Sequence, residues 1–461
     1  VSTASFDRFF GFDVVSLYRF KTLIPVGVDM KKFKELTRVA AVLDPSFGDR
    51  GKVDLAFHFS GRFTIIYLCD CLVLEDKSIV VVASVIKKDY GPEYPALIKI
   101  TKDGRVDEEF GVAGVAFEEY GGDRYDKSIH IDSINLLEDG RILMVCDVKT
   151  VPEENGITVY RPLLTVYSAM GQLDKDFNPE KMPVPLPLPS MEDEYGPYPH
   201  LLGSAIQQAD GAIVFSFHTC LWDRGGYRGR SYVVRVTTQG ELDTSFNELG
   251  YVEVRGAGYG MKLGQLRLTR DEKIVVIGLL KGQGAIVRLN SSGTMDSSFG
   301  SEGFVPVSMI VGANAQLSDV LLTDGGNIRI VGSFIDESGN RTLLTGFDSS
   351  GQPDANFSEY LERGRFLRIF SAGGVDDRLW VGGAGYGVDG AFHGAIARMA
   401  ADGTPDVSLG PTGQAVLLDS LYFGGMALSS TEGGAPANCI YADQVRSVVG
   451  QSHTVRRYLG S

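Results

Sequence analysis

Six histidines are the residues of this chain best suited to chemistry near neutral pH: His58, His130, His200, His218, His393 and His453. A neutral imidazole is the commonest metal ligand and a good general base. The chain has no HExxH or other short ligand spacing, so any such site would be assembled from distant segments. The plain alternative is a scatter of polar loop residues. Aromatic residues form a second group, with Tyr90, Tyr94, Tyr120, Tyr259 and carboxylates such as Glu93 and Asp123 interspersed. Within it Trp222, Tyr227, Tyr195, Tyr198, Tyr125, Asp223 and Tyr386 are the expected ligand-binding residues. Rings beside carboxylates suit polar ligands and protein partners. Sugars suit them especially, because their CH faces stack on rings while their hydroxyls bond to carboxylates. The plain alternative here is that tyrosine is common at strand ends.

Other motifs carry less. Gly385-x-Gly387-x-x-Gly390 has the letters of a dinucleotide fingerprint, but it lies between two strand-like stretches with no helix after it. There is no GxSxG, Walker loop or kinase signature. No catalytic residue, resident metal or cofactor is therefore expected.

The elements that must position these residues repeat along the chain. Seven segments share one pattern around an aspartate: Asp44, Asp107, Asp174, Asp243, Asp296, Asp354 and Asp406. The first reads Leu43-Asp44-Pro45-Ser46-Phe47-Gly48 and the fourth Leu242-Asp243-Thr244-Ser245-Phe246-Asn247. Successive aspartates are 63, 67, 69, 53, 58 and 52 residues apart, a period of about 60. A glycine precedes each aspartate after the first by three residues: Gly104, Gly171, Gly240, Gly293, Gly351 and Gly403. Gly51, Gly114, Gly250, Gly303 and Gly413 follow by seven. Glycine permits positive φ, and aspartate bonds its own backbone two residues on. The motif therefore reads as conformational, with the apolar residue three after the aspartate free to pack between neighbouring units.

Each unit also holds a tight turn, such as Asp139-Gly140 or Asp210-Gly211, and then a β-rich strand such as Ile79-Val80-Val81-Val82. A third strand follows a variable loop and often carries a basic residue five before the motif glycine: Lys99, Arg235, Arg288 or Arg398. A fourth follows the motif. Four short strands per repeat is the blade of a β-propeller. The fold class is all-β: a seven-bladed β-propeller with four antiparallel strands per blade. The last unit has three strands, near Leu421–Ser429, Ile440–Asp443 and Thr454–Leu459, and Lys52–Phe57 would supply the fourth. The last blade is thus closed by strands from both termini, which hides its edges. Residues 1–40 form an N-terminal extension outside the repeat, and 41–461 the propeller. Met30-Lys31-Lys32 is an alternative start, with residues 1–29 a leader or an added segment.

The chain resembles the delta-60 repeat family on these residues, over about 43–461. That family's units carry LDxSFGxxG, a DG turn and an aliphatic-rich strand with arginine. The resemblance implies the propeller and no particular activity. The copy at 405–410 departs with Leu409 for Phe, and the copies at Asp174 and Asp354 lack the later glycine.

In a propeller the turns between first and second and between third and fourth strands share one end, and both are short here. The other end carries the variable loops, where a rigid scaffold usually places function. The long second-to-third loops are Lys87–Pro95, Lys149–Pro162 and His218–Arg230, and the longest crossover is the proline-rich Asn178–Leu202. All six histidines map to this end or its rim, and the aromatic group maps to the same end. Asp70, Asp132 and Asp319 fall on innermost strands and could face the channel with raised pKa values, and a one-residue shift in register would turn each to the other face. Cys69 and Cys71 would share one face of such a strand as core thiols.

Composition narrows the partners. The formal net charge of −14 and pI near 5.0 repel phosphate backbones, so no nucleic acid is expected. No apolar run is long enough for a membrane span. Five cysteines without a CxxC pair, and no secretory pattern in the chain as given, favour a cytoplasmic setting. The expected function is a non-catalytic binding or scaffold propeller that presents an aromatic, acidic loop face to a glycan or protein partner. The alternative is an enzyme, a hydrolase or lyase with or without a bound metal, with a histidine-lined site at the channel mouth.

Overall fold

β-Branched stretches such as Ile79–Val82 and Ile274–Ile277 are wholly buried, so both faces of each strand need an apolar neighbour. Sheets stacked face to face around a ring meet that demand. A computed structural model of the chain shows this arrangement for the unit spanning residues 41–461. The described residues lie within 42–459 and leave out 56–58, 60–62, 88–92, 118–124, 151–159, 179–183, 185–197, 224–225, 257–258, 261, 281–282, 308–314, 338, 372–376, 388–389, 411, 430–437 and 448–449. The extension at 1–40 is outside them.

Seven antiparallel sheets form the blades. Blade 1 orders Phe63–Val73, Ile79–Lys87, Glu93–Ile100 and Val115–Phe117 from the centre outward. Blade 3 orders Tyr198–Gln207, Ile213–Asp223, Gly226–Val236 and Tyr251–Glu253. Blade 4 runs from Lys262–Leu268 to Phe304–Pro306, and blade 6 from Gly364–Ser371 to Gln414–Leu417. In blade 2, Tyr125–Leu136, Ile142–Thr150 and Tyr160–Tyr167 are joined on the outside by Val184, whose N–H bonds to Pro162 O at 2.9 Å. In blade 5, Gln316–Leu322, Ile328–Asp336 and Gly339–Phe347 take bridges from Tyr360 and Arg363 as their outer edge. Blade 7 joins Ser420–Ser429, Asn438–Ser447 and Gly450–Tyr458 to Lys52–Asp54, with Val53 opposite Val455. The two ends of the chain therefore close one sheet, as the sequence suggests.

Strand alternation feeds two cores at once. Val81, Ala83 and Val85 pack toward blade 7 with Ile440 and Ala442. Val80 and Val82, between them, pack toward blade 2 with Met144 and Cys146. Seven such clusters fill the seven gaps between blades. Each buried aliphatic side chain contributes about 1.5–3 kcal/mol.

The repeat motif stitches the ring. In all seven copies the aspartate Oδ1 accepts the N–H two residues on, at 2.9 Å for Asp44 and Ser46 and 3.0 Å for Asp406 and Ser408. Its other oxygen meets a cation, as in Asp296 with Arg288 at 2.6 Å and Asp44 with Arg457 at 2.8 Å. In five blades that cation is the third-strand basic residue. The motif phenylalanine lies beneath the glycine turn of the next blade: a Cβ at Gly293 would stand 2.9 Å from the Phe246 ring. A backbone bond then crosses the seam, from Asn247 N–H to Ser292 O at 2.8 Å and from Gly48 N–H to Asp103 O at 2.9 Å.

Candidate functional site

The innermost strands each carry a β-bulge near mid-length. One extra residue there turns the following side chains by one place. In six blades one residue stands three before the partner of the second strand's first residue: Asp70, Ser133, Ser204, Gln265, Asp319 and Arg368. All six line a single central cavity of about 640 Å³. In blade 7 the residue after the bulge is Gly425. A Cβ on Gly425 would stand 2.8 Å from Asp70 Cα, so the close approach of two inner strands requires glycine.

This layer is electrostatically paired. Arg368 of blade 6 reaches past Gly425 to Asp70 of blade 1, Nη2 to Oδ2 at 3.3 Å. Arg267 of blade 4 donates to Asp319 Oδ1 of blade 5 at 2.8 Å. Both oxygens of Asp319 are engaged, since Val320 N–H also bonds Oδ1 at 2.9 Å and Ile369 N–H bonds Oδ2 at 3.1 Å. Ser204 of blade 3 accepts Leu266 N–H at 3.0 Å. Burial pushes the Asp70 carboxyl above its ordinary range, against the pull of Arg368 and the Cys71 N–H. The Arg368 guanidinium, although buried, is held charged by Asp70 and Asp319. Leu136 and Glu138 are exposed at the rim, which puts the mouth at the short-turn end of the channel.

The sequence expectations fare unevenly. Asp70 and Asp319 do face the channel, whereas the blade 2 bulge falls at Asp132 and Ser133 takes the cavity position. The side chain of Asp132 is outside the described residues. The same kind of bulge, at Cys69, corrects the cysteine reading: Cys71 packs between blades 7 and 1 and Cys69 between blades 1 and 2. His218, His393 and His453 are buried strand residues and not loop residues. His218 Nδ1 bonds Ser231 Oγ at 2.6 Å, and His453 Nε2 bonds Ile66 O at 3.1 Å. Burial and its desolvation push the His453 imidazole down. His58 and the side chains of His130 and His200 are outside the described residues. Among the described residues, no group of three or more His, Cys, Asp or Glu is placed to hold a metal ion.

Within the span read as a loop at His218–Arg230, two strands pair out to Trp222 with Tyr227 and Asp223 with Gly226. The Pro-rich crossover shortens likewise, because Tyr198 already pairs with Cys220. Tyr195 lies outside the described residues, as do the side chains of Trp222, Asp223, Tyr227, Tyr198 and Tyr125. Tyr386 is half-buried, edge-on to Phe392 at 5.1 Å and beneath the Arg363 guanidinium at 4.6 Å. Sequence reasoning missed Arg267, Arg368, Ser204 and Gln265. A signal existed: Asp70, Ser133, Ser204 and Gln265 each stand six residues before a turn aspartate, Asp76, Asp139, Asp210 and Asp271.

The fold and the cavity define a β-propeller. A family described as "Domain of unknown function (DUF5122) beta-propeller" matches residues 269–299 and 376–409. No curated protein sequence matches the chain. Among solved structures, it is similar to a catalytically inactive virginiamycin B lyase from Staphylococcus aureus with quinupristin. The identity is 13% and the TM-score 0.42, covering 88% of this chain and 98% of that one. It is also similar to a polysaccharide lyase of family PL25, an ulvan lyase, with 11% identity, TM-score 0.46 and coverage of 80% and 94%. No activity is carried across from either. Among the described residues no helix is long and apolar enough to cross a membrane.

Proposed function

We propose that this chain is a non-catalytic binding or scaffold protein, a propeller of delta-60-type repeats that offers its variable-loop face to a glycan or protein partner. The observation that supports this is the second hairpin of blade 3. It pairs over eleven positions from Ile213 to Asp223, whereas the same hairpin of blade 4 pairs over seven, from Ile274 to Leu280. Four further residues extend a strand by about 13 Å. Trp222 and Tyr227 are opposite each other one pair from its end. Tyr125, Tyr195, Tyr198, Asp223 and Tyr386 complete the proposed ligand set. The opposite face is committed to the motif turns and their cross-blade bonds, which leaves the loops free to vary. The three described imidazoles are each buried within strands, so they lend no weight to the alternative of a histidine-lined enzyme site.

A glycan array and a partner pull-down with the intact chain test this reading. Binding lost in Trp222→Ala with an unchanged melting temperature is the expected result. Binding that survives loss of both Trp222 and Tyr227 overturns it.

A further inference from the structure

The channel cavity lies at the other end of the ring and has no part in that reading. We propose that it binds a small neutral polyhydroxylated ligand, a free monosaccharide. Its volume of about 640 Å³ is ample for a sugar and falls among the sizes of small-molecule sites. The deciding feature is charge balance. Within the buried layer Asp70 is matched by Arg368 and Asp319 by Arg267, and Glu138, the remaining charged residue of the lining, is exposed to solvent at the rim, so an ion entering the layer would be desolvated without a counter-charge of its own.

Hydrogen-bonding capacity nevertheless remains. A carboxylate accepts about four bonds and a guanidinium donates five. Asp70 accepts from Arg368 at 3.3 Å on one oxygen and from the Cys71 N–H at 2.9 Å on the other, and among the described residues two nitrogens of Arg267 are engaged, with Asp319, Leu266 O and Ser204. Gln265 and Ser133 add groups that both donate and accept. Hydroxyls do both as well, and a sugar is the neutral ligand that presents them around a ring. Leu72, Ile206 and Phe370 supply apolar wall beside the polar layer, as the CH faces of a sugar require.

The test is calorimetric titration of the full chain with glucose, galactose, mannose and xylose, with glucuronate and glutamate as charged controls. At least one neutral sugar should bind. Gln265→Ala should weaken it roughly five- to tenfold, the loss of about one hydrogen bond. Leu72→Trp, which fills the cavity, should abolish it, and Trp222→Ala should leave it unchanged. If Leu72→Trp does not fold, Gln265→Ala decides alone. No binding by any of the four sugars overturns the proposal. So does preference for a charged control, unaltered affinity in Gln265→Ala, or loss in Trp222→Ala, the last of which would move the sugar to the variable-loop face.

Discussion

Gly346 makes room for Arg329. Blades 1, 3, 4, 6 and 7 neutralise the motif aspartate from the third strand, with Lys99, Arg235, Arg288, Arg398 and Arg457. In blade 5 that position is Gly346, and Arg329 from the second strand donates to Asp354 at 2.7 Å. A Cβ on Gly346 would stand 2.8 Å from Arg329 Nη1 and 2.7 Å from Phe357. Blade 2 solves the same problem with Arg141, since Val166 occupies its third-strand position.

Gly346→Arg should therefore destabilise the protein by about 2 kcal/mol through overpacking. Arg329→Val should also destabilise it, by leaving Asp354 without its cation. Together they reproduce the Val275 and Arg288 arrangement of blade 4, so the double variant should be more stable than either single one. Denaturant melts check this, and strictly additive losses would contradict it.

Acid should loosen the ring through the same motif. Burial pushes Asp44, Asp174, Asp296 and Asp406 up, but their turn hydrogen bonds and neighbouring cations hold each below its ordinary value of 3.8. A carboxyl depressed in the folded state contributes stability above the unfolded pKa and loses it as pH falls through the folded one. Stability should thus be level above about pH 5 and fall steeply below about pH 4. Asp296→Asn should lower stability at pH 7 and flatten the acid limb. Melting temperatures from pH 7 to pH 3 give the answer, and an unchanged acid limb in the variant would count against this role.

The Arg368–Asp70 pair ties blade 6 to blade 1 across the channel, with both side chains mostly buried. Arg368→Met alone should cost roughly 3 kcal/mol, because it strands a buried carboxylate. Arg368→Met with Asp70→Leu should recover most of that loss. A double-mutant cycle by chemical denaturation measures it, and a double variant as unstable as the sum of the two would remove the pairing.

Much of this architecture was legible from residue types. The glycines that flank the seven motif aspartates are required by positive φ, as at Gly293 and Gly351, and by seams too close for a Cβ. The closing strand at Lys52–Asp54 followed from counting strands in the last unit. The channel layer was not legible, because a bulge inserts one residue without any signature of its own. Simple alternation therefore put Cys69 beside Cys71 and Asp132 beside Asp70. The blade 3 hairpin was hidden for another reason: Gly225, Gly226 and Gly229 look like loop residues, yet paired backbone continues to Gly226. Arg329 was missed because its partner Asp354 is distant in sequence and the usual third-strand position is empty of charge.

The most direct test of the binding reading is titration of whichever glycan or protein the intact chain captures against the Trp222→Ala/Tyr227→Ala variant. Each aromatic removed from a binding centre typically costs at least 1 to 2 kcal/mol. The expected result is a loss of roughly a hundredfold or more in affinity at an unchanged melting temperature. Affinity equal to that of the parent chain would contradict the reading and take the binding face away from blade 3.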